Sequence, residues 1–252
     1  MLRQKLCYTK DMPRLVKTHD QHFLCSPRIV AILLGHTSIR RRDTVYDLGA
    51  GSGVISSVLA RRCQHVVSVE MERQVLQKLR AHLGTRPNVQ IIATDIQRLR
   101  LPSTPYKVFA NIPFRLSAVI VRQLTTATHP PQAIYLIVQR QFAEKIVPSD
   151  QHFTAALGTQ IAPWWNARIR YRLRRTDFTP PPAVDTVLLE LLPRANPLVP
   201  LAERTAYQRF VAQQYASPVL FAKLPRATYG IDPERKPSEL TPEDWARLYS
   251  VI

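Results

Sequence analysis

The sequence predicts an α/β protein with one doubly wound, mainly parallel sheet of seven strands, followed by a small helical domain. Short apolar runs bounded by turn residues alternate with segments of helical periodicity, and this alternation is typical of consecutive βαβ units. Hydrophobic residues make up 45% of the 252 positions, which is enough for a sizeable core. The chain has only seven glycines and no short-period repeat, which excludes a collagen-like or low-complexity protein.

Seven apolar runs are predicted to be strands. They are Thr44–Leu48, His65–Glu70, Val89–Thr94, Tyr106–Asn111, Ala133–Val138, Arg168–Leu173 and Val184–Leu192. Most of the intervals between them have helical spacing, at Val54–Arg62, Glu72–Leu83 and Leu116–Thr126. The last interval is rich in proline instead, so we expect the last two strands to pair as an antiparallel hairpin at the sheet edge. A sheet of seven strands that ends in this way suggests the methyltransferase variant of the doubly wound fold.

A domain boundary is predicted after residue 194, where Pro193, Pro197 and Pro200 indicate a linker. The first domain would cover residues 1–194, including a basic N-terminal extension of about 20 residues, and the second would cover residues 195–252. Helical patterns follow the linker, and Thr241 with Pro242 behind it is a good helix start. So short a segment buries little surface by itself, and we expect it to pack against the sheet domain.

The net charge of +17 and the pI of about 10.4 are the first functional clue. They favour a nucleic-acid partner, whose phosphates the basic side chains would neutralise, although a merely soluble basic surface or an anionic membrane would also suit this charge. Arginines are most concentrated at residues 40–42 and 168–175. In the second run they alternate with apolar residues, which predicts a strand with its guanidinium groups on one face.

The cysteines and the hydropathy indicate the compartment. Cys7, Cys25 and Cys63 are odd in number and too widely spaced for a CxxC motif, which favours a reducing environment. No apolar run reaches the length of a signal peptide or of a membrane span. We therefore expect a soluble, cytoplasmic, monomeric protein that has no membrane partner. No metal site is predicted, because the histidines show no ligand spacing.

A glycine-rich loop follows the first predicted strand. Gly49, Gly51 and Gly53 are spaced two apart, and Asp47 lies two residues ahead of them. A nicotinamide-binding loop would read GxGxxG and hold a pyrophosphate, whereas GxGxG suits S-adenosyl-L-methionine, which carries no phosphate. A purely structural turn is the alternative interpretation of this loop.

Polar residues also end the next three strands. Glu70 ends the second strand and would accept both ribose hydroxyls of the cofactor, and Asp95, followed by Ile96, would accept the adenine amine. Asn111 ends the fourth strand. Because strand ends of a parallel sheet face one crevice, Asp47, Glu70 and Asp95 are expected to lie together there. Taken singly, each residue would also fit a solvated turn or a helix N-cap.

The residues after the fourth strand, Asn111-Ile112-Pro113-Phe114, suit methyl transfer to an exocyclic amine. The side-chain oxygen of Asn111 and the carbonyl of Ile112 would accept the two hydrogens of an adenine N6, and these bonds would strengthen as positive charge develops. Pro113 would fix the turn, and Phe114 would stack on the base. The alternative is an ordinary Asn-x-Pro turn with a core phenylalanine.

Together with Gln21-His22-Phe23-Leu24 and Phe178-Thr-Pro-Pro-Pro, these loops resemble the rRNA adenine N6-methyltransferases. The resemblance implies a class I S-adenosylmethionine-dependent methyltransferase with a Rossmann-like sheet, and it makes Phe178 a second wall of the target-base pocket. It implies cofactor contacts at Gln21, His22, Leu24, Gly49, Gly51, Glu70, Asp95, Ile96 and Asn111.

Within that family, Asn-Ile-Pro-Phe, Gly-Ala-Gly and the absence of a proline shortly after Ser117 favour the Erm branch over the small-subunit enzymes. The resemblance then implies methylation of one adenine N6 in 23S rRNA of an unassembled or partly assembled large subunit, and resistance to macrolides, lincosamides and streptogramin B. The alternatives are a small-subunit (16S) rRNA dimethyltransferase and a non-catalytic RNA-binding protein on the same fold. Arg115 departs from many relatives, which have Asn or a small residue there.

Overall fold

The computed structural model describes residues 22–149 and 154–251, and within them a mixed seven-stranded sheet forms the centre of the fold. Its strands are β2 (Thr44–Leu48), β3 (His65–Glu70), β4 (Val89–Ala93), β5 (Lys107–Asn111), β6 (Ala133–Gln139), β7 (Trp165–Leu173) and β9 (Thr186–Pro193). They lie in the order β4-β3-β2-β5-β6-β9-β7, and the first five are parallel. The predicted fold class and all seven predicted strands are confirmed.

The last two strands form the antiparallel pair expected from the proline-rich interval. β9 lies between β6 and β7 and is antiparallel to both. β7 is therefore the edge strand on this side of the sheet, although it precedes β9 in sequence. The proline-rich interval itself contributes a strand that the sequence did not predict. It is β8 (Phe178–Thr179), which pairs antiparallel with β1 (Phe23–Leu24) in a separate small sheet.

Helices cover both faces of the sheet. They are α1 (Pro27–Gly35), α2 (Val54–Leu59), α3 (Arg73–Leu83), α4 (Ser117–Thr125), α5 (Arg140–Glu144), α6 (Ala156–Ile161), α7 (Arg204–Ala216), α8 (Pro218–Ala222) and α9 (Pro242–Tyr249). Apolar residues of α1 and α2 pack in one core with Tyr135 and Leu188 of the sheet. A larger core on the other face contains Leu136 and Leu189, and it continues into the C-terminal helices through Tyr207 and Trp245. None of the described helices is both long enough and apolar enough to cross a bilayer.

The start of α9 shows why the C-terminal segment is helical there. The Thr241 hydroxyl accepts a hydrogen bond from the Asp244 amide, and the Asp244 carboxylate accepts one from the Thr241 amide, both at 3.1 Å. Pro242 occupies the first turn, where no amide donor is needed. This reciprocal cap fixes α9 so that Trp245 is fully buried against α7 and α8. The domain boundary after residue 194 stays a prediction.

The arginines of β7 do not share one face, so this prediction is wrong. Arg168 lies opposite Glu190 of β9, whereas Arg172 lies opposite Val187, three positions away and therefore on the other face of the sheet. The cause is a bulge between Ile169 and Tyr171, which inserts an unpaired residue and reverses the alternation. The sequence therefore continues to alternate arginine with apolar residues across the bulge, although the arginines on its two sides lie on opposite faces of the sheet.

Candidate active site at the carboxyl edge of the sheet

A cavity of about 410 Å³ opens at the carboxyl ends of β2, β3 and β5, the edge at which a doubly wound sheet binds its ligands. Its lining includes most of the residues predicted for the site: His22, Leu24, Gly49, Glu70, Asp95, Ile96, Asn111, Ile112, Pro113 and Phe114. It also includes residues that the sequence analysis did not assign to the cofactor, notably Phe23 and Met71, although each stands next to a residue that was assigned. The volume falls in the range of small-molecule sites.

The glycine loop owes its composition to backbone shape and packing. Gly49, Gly51 and Gly53 all have positive φ angles, of 73°, 57° and 91°, which other residues rarely adopt. A Cβ on Gly51 would lie 3.1 Å from the Phe23 ring, and a Cβ on Gly53 would lie 2.7 Å from Leu79. Gly49 lines the cavity, but Gly51 does not. The second and third glycines thus make room for neighbouring side chains.

Glu70 is held by main-chain amides around its carboxylate. Oε1 accepts from the amides of Met71 (2.9 Å) and Glu72 (3.0 Å), and Oε2 accepts from the amide of Gly51 (2.9 Å). A carboxylate has about four acceptor positions, so one position on Oε2 is left for a ligand. The geometry therefore leaves an acceptor position open to a hydroxyl group, and the contact with both ribose hydroxyls stays a prediction.

Asp95 caps a turn and also lines the cavity, so the two interpretations left open by the sequence do not exclude each other. Its Oδ1 accepts a hydrogen bond from the Gln97 amide at 2.9 Å and so caps the short turn Ile96–Arg98. The half-buried side chain also lines the cavity. Oδ2 has no hydrogen bond to another described residue, so it is the oxygen that can accept from a ligand.

Asn111 is oriented by the segment that precedes β1. Its Nδ2 donates to the main-chain carbonyl of His22 at 2.6 Å. A carbonyl oxygen only accepts hydrogen bonds, which settles which side-chain atom is the amide nitrogen. Oδ1 has no hydrogen bond within the described residues, and the half-buried side chain lines the cavity. The site thus contains one oriented neutral acceptor.

The loop after Asn111 is ordered by local contacts. The Leu116 amide donates to the Pro113 carbonyl at 2.9 Å, and the Ser117 hydroxyl donates to the Phe114 carbonyl at 2.8 Å. The Phe114 ring lies 5.7 Å from the His22 ring, at an interplanar angle of 31°. Phe114 is half-buried, whereas Ile112 is 2% exposed. A flat aromatic surface therefore stands beside the Asn111 acceptor.

Besides Gly51, two predicted site residues lie away from the cavity surface or outside the described part. Phe178 is 2% exposed, pairs with Leu24 across β1 and β8, and packs in the core, so it does not line the cavity as the sequence suggested. Phe178 supports the cavity wall indirectly, because β8 pairs with β1, and Phe23 and Leu24 of β1 line the cavity. Gln21 lies outside the described residues.

Asp47 does not join Glu70 and Asp95 in the cavity, contrary to the sequence-based expectation. Its side chain is fully buried and accepts a hydrogen bond from the Ser56 hydroxyl at 2.6 Å, while Oδ1 has no partner in the described structure. Burial raises the pKa of Asp47 to about 7, although the Ser56 hydrogen bond opposes that rise. This carboxyl group joins β2 to α2 beneath the glycine loop.

Comparison with known proteins identifies the family. A model of the ribosomal RNA adenine dimethylase family matches residues 14–218. The chain belongs to this family. An rRNA adenine N-6-methyltransferase of Lysinibacillus sphaericus is 29% identical over 193 residues, covering 76% of this chain and 77% of the relative. A ribosomal RNA small subunit methyltransferase A of Dehalococcoides mccartyi is 26% identical over 250 residues, covering 90% and 85%.

Solved structures support the fold. The crystal structure of the 23S rRNA methyltransferase ErmE superposes with a TM-score of 0.79 at 24% identity, covering 90% of this chain and 98% of that one. The chain is thus a class I, S-adenosylmethionine-dependent rRNA adenine methyltransferase. The cavity fits that cofactor, because it offers a carboxylate with an open position, a second carboxylate oxygen and a neutral acceptor at successive strand ends.

Proposed function

We propose that this protein methylates N6 of one adenine in 23S rRNA and thereby gives resistance to macrolides, lincosamides and streptogramin B. The observation that carries the catalytic part is the orientation of Asn111, whose Nδ2 is held by the His22 carbonyl. This hydrogen bond leaves Oδ1 as an acceptor at the end of β5, beside Phe114. A single acceptor next to an aromatic surface suits an amino group on a flat base.

The reaction needs little acid or base chemistry from the protein. The N6 lone pair is delocalised into the purine ring, so acceptors at its two hydrogens favour the pyramidal geometry that attacks. Asn111 Oδ1 and the Ile112 carbonyl would supply those acceptors, and their hydrogen bonds strengthen as the nitrogen becomes positive. The resulting nitrogen is acidic and can lose its proton to water.

The cofactor would supply the electrophilic methyl group, and the chain would hold it by its polar ends. We place a ribose hydroxyl on the open position of Glu70 Oε2 and the adenine amine on Asp95 Oδ2. Main-chain amides already orient Glu70, so it costs little further entropy when a ligand binds. His22 and Leu24 would close the side of the cavity that faces β1.

The target base must leave its stack to reach this cavity, as in other enzymes that modify bases. Phe114 would replace the lost stacking on one side of the base. Arg115 lies at the cavity mouth and is exposed, so it can meet a phosphate of the displaced nucleotide. Folded RNA would be recognised through its shape and its phosphates.

The preference for 23S over 16S rRNA rests on residues of the two loops. Asn-Ile-Pro-Phe at residues 111–114 and Gly-Ala-Gly at residues 49–51 resemble Erm enzymes more than small-subunit enzymes. The alternative, 16S dimethylation, is supported by the small-subunit relative that covers 90% of the chain. We propose a monomer that acts on an unassembled or partly assembled large subunit.

Two experiments test this proposal. The protein is incubated with a radiolabelled methyl donor and protein-free ribosomal RNA, and the modified nucleotide is mapped; we expect one adenine of 23S rRNA. The gene is also expressed in a sensitive bacterium, which we expect to survive erythromycin. If it gives no protection and instead restores 16S dimethylation in a deficient strain, the 23S assignment is wrong.

A further inference from the structure

A second cavity, of about 640 Å³, lies between the segment after α5 and the C-terminal helices. Its lining includes Lys145, Gln214, Phe221, Arg226, Arg235 and Lys236. None of them lines the first cavity. Its walls are fixed, since the Tyr215 hydroxyl donates to the Thr154 carbonyl at 2.9 Å and is 3.3 Å from the Pro237 carbonyl.

A buried cation forms part of this cavity. Arg226 is 8% exposed, and its guanidinium carbon lies 4.5 Å from the centroid of the Phe221 ring. Nη1 donates to the carbonyls of Pro233 (2.5 Å) and Arg235 (3.0 Å), but Nε has no partner, and Arg226 forms no ion pair within the described residues. A buried charge without a counter-charge is unfavourable, so an anionic group in the cavity would stabilise it.

A buried acceptor complements that cation. Gln214 is 7% exposed, and its Oε1 has no hydrogen-bond partner in the described structure. A ligand that meets both side chains needs an anionic oxygen for Arg226 and, for the Gln214 amide, a hydroxyl group, which can pair with either amide atom. A ribonucleotide carries both, as its phosphate and its 2′-hydroxyl.

The rim of the second cavity also carries positively charged side chains. Lys145, Arg235 and Lys236 are exposed, and their side chains form no ion pairs in the described part of the chain. Cationic side chains that form no ion pairs attract a polyanion, and each phosphate they neutralise releases a counterion. The size of the cavity is sufficient for one nucleotide.

The path through the structure from the first cavity to the second is short. Asn111 pairs with Ile137 of β6, and α5 begins three residues later at Arg140. Lys145 follows the end of α5, five residues and about 7.5 Å of helix rise beyond Arg140. A strand whose target base enters the first cavity can therefore reach the second within a few nucleotides.

We propose that this second cavity binds one nucleotide of the RNA substrate, with its phosphate on Arg226 and its 2′-hydroxyl on Gln214. The inference rests on the proposed RNA substrate. It assigns to the C-terminal helices a defined part in holding the RNA strand while the adenine is methylated.

The first test removes the rim cations. The triple variant Lys145→Gln, Arg235→Gln, Lys236→Gln is compared with Arg61→Gln, Arg62→Gln, Arg80→Gln, which removes the same charge from exposed positions that line neither cavity. We expect the rim triple to weaken binding of a mixed-sequence 20-nucleotide RNA about tenfold and to lower its salt dependence by about two phosphate contacts. The control should change affinity about twofold.

The second test removes the buried acceptor and leaves the fold intact. Gln214→Met has a similar volume and leaves no unpaired oxygen, so its melting temperature should equal or exceed that of the wild type. It should bind the RNA about fivefold more weakly, yet bind a DNA strand of the same sequence as the wild type does. Arg226 is left unchanged because it also holds two carbonyl groups.

The two proposals fail in different ways. If methyl transfer occurs and both sets of variants keep the wild-type RNA affinity and KM, the second cavity holds only water and the inference is wrong. If the wild type transfers no methyl group to ribosomal RNA but the rim triple and Gln214→Met still lose RNA affinity, the nucleotide site stands and the proposed reaction is wrong. If both proposals are correct, the rim triple and Gln214→Met raise the KM for RNA and leave kcat unchanged.

Discussion

The side chain of Asn111 donates to the main-chain carbonyl of His22 across 2.6 Å. The end of β5 and the segment before β1 are 89 residues apart in sequence, and this bond joins them at the mouth of the cavity. It fixes the amide so that Oδ1 is the atom open to a ligand. His22 is itself anchored, since its Nδ1 lies 2.9 Å from the Pro180 carbonyl beside β8. The orientation of the proposed catalytic acceptor thus depends on the small β1–β8 sheet.

Asn111→Ala removes that acceptor. We expect kcat for methyl transfer to fall at least 10²-fold, because the lost hydrogen bond strengthens only as charge develops on N6. Binding of S-adenosyl-L-methionine, measured by calorimetry, should be largely retained. His22→Ala is the comparison variant, because it keeps the carbonyl that orients Asn111 and loses only the anchor to the Pro180 carbonyl, so it should retain much more turnover than Asn111→Ala. Unchanged kcat in Asn111→Ala would exclude the catalytic assignment.

Glu70→Gln changes one oxygen of a carboxylate that main-chain amides surround. The new amide group must face one or more of the donors on Gly51, Met71 and Glu72, so the folded state should lose about 1–3 kcal/mol. Affinity for the methyl donor should fall about tenfold or more. Asp95→Asn serves as the control, because asparagine also caps helical turns well and should leave the melting temperature unchanged. Equal stability and donor affinity in Glu70→Gln and the wild type would contradict this assignment.

Phe114→Ala removes the aromatic surface beside Asn111. Stacking on one base contributes about 1–3 kcal/mol, so kcat/KM for RNA should fall about 10- to 100-fold. Donor affinity should not change, since the proposed donor contacts lie on Glu70 and Asp95. Phe114→Trp retains a stacking surface and should recover most of the activity. A similar loss in both variants would indicate a packing role instead.

The sheet, the glycine loop and most of the cavity could be predicted because their signals are local. A strand shows alternating or continuous apolar residues within a few positions, and a turn at the strand end requires glycine wherever φ is positive. The predicted residues from Gly49 to Phe114 that line the cavity all stand at ends of parallel strands or in the turns that follow them. Parallel topology alone then places them at one edge.

Three features could not be predicted, and each depends on contacts between distant residues. The pairing of Phe23 with Thr179 involves strands of two residues, which carry no periodic pattern. The bulge in β7 leaves the spacing of its arginines unchanged, although it moves Arg172 to the other face. Asp47 and Glu70 both lie within one residue of a strand end, but only the packing of Ser56 over Asp47 shows which one is sealed from the cavity.

Asp244→Asn tests the cap of α9 through its pH dependence. Burial disfavours the charged carboxylate, but hydrogen bonds from Thr241 and Arg247 hold the pKa of Asp244 below its usual value. A lowered pKa stabilises the folded state above the unfolded-state pKa of about 4, and this contribution is lost as the pH falls through the folded-state pKa. Urea unfolding should show the variant about 1 kcal/mol less stable at pH 7, with the difference shrinking below pH of about 4. A constant difference at all pH values would rule out the charge as its cause.

Asp47→Asn should have the opposite pH dependence. Burial raises the pKa of Asp47 to about 7, so between pH of about 4 and about 7 the folded state binds a proton that the unfolded state has released. The free energy of unfolding of the wild type therefore decreases as the pH rises through this interval. Asparagine does not ionise, so the variant lacks this pH-dependent decrease. The variant should gain about 2–4 kcal/mol relative to the wild type between pH 4 and pH 8, as measured by urea unfolding. The glycine loop would then rest on a neutral group at every pH. If the two proteins lose stability in parallel over this interval, Asp47 is ionised in the folded protein, and its unpartnered Oδ1 must be reached by water.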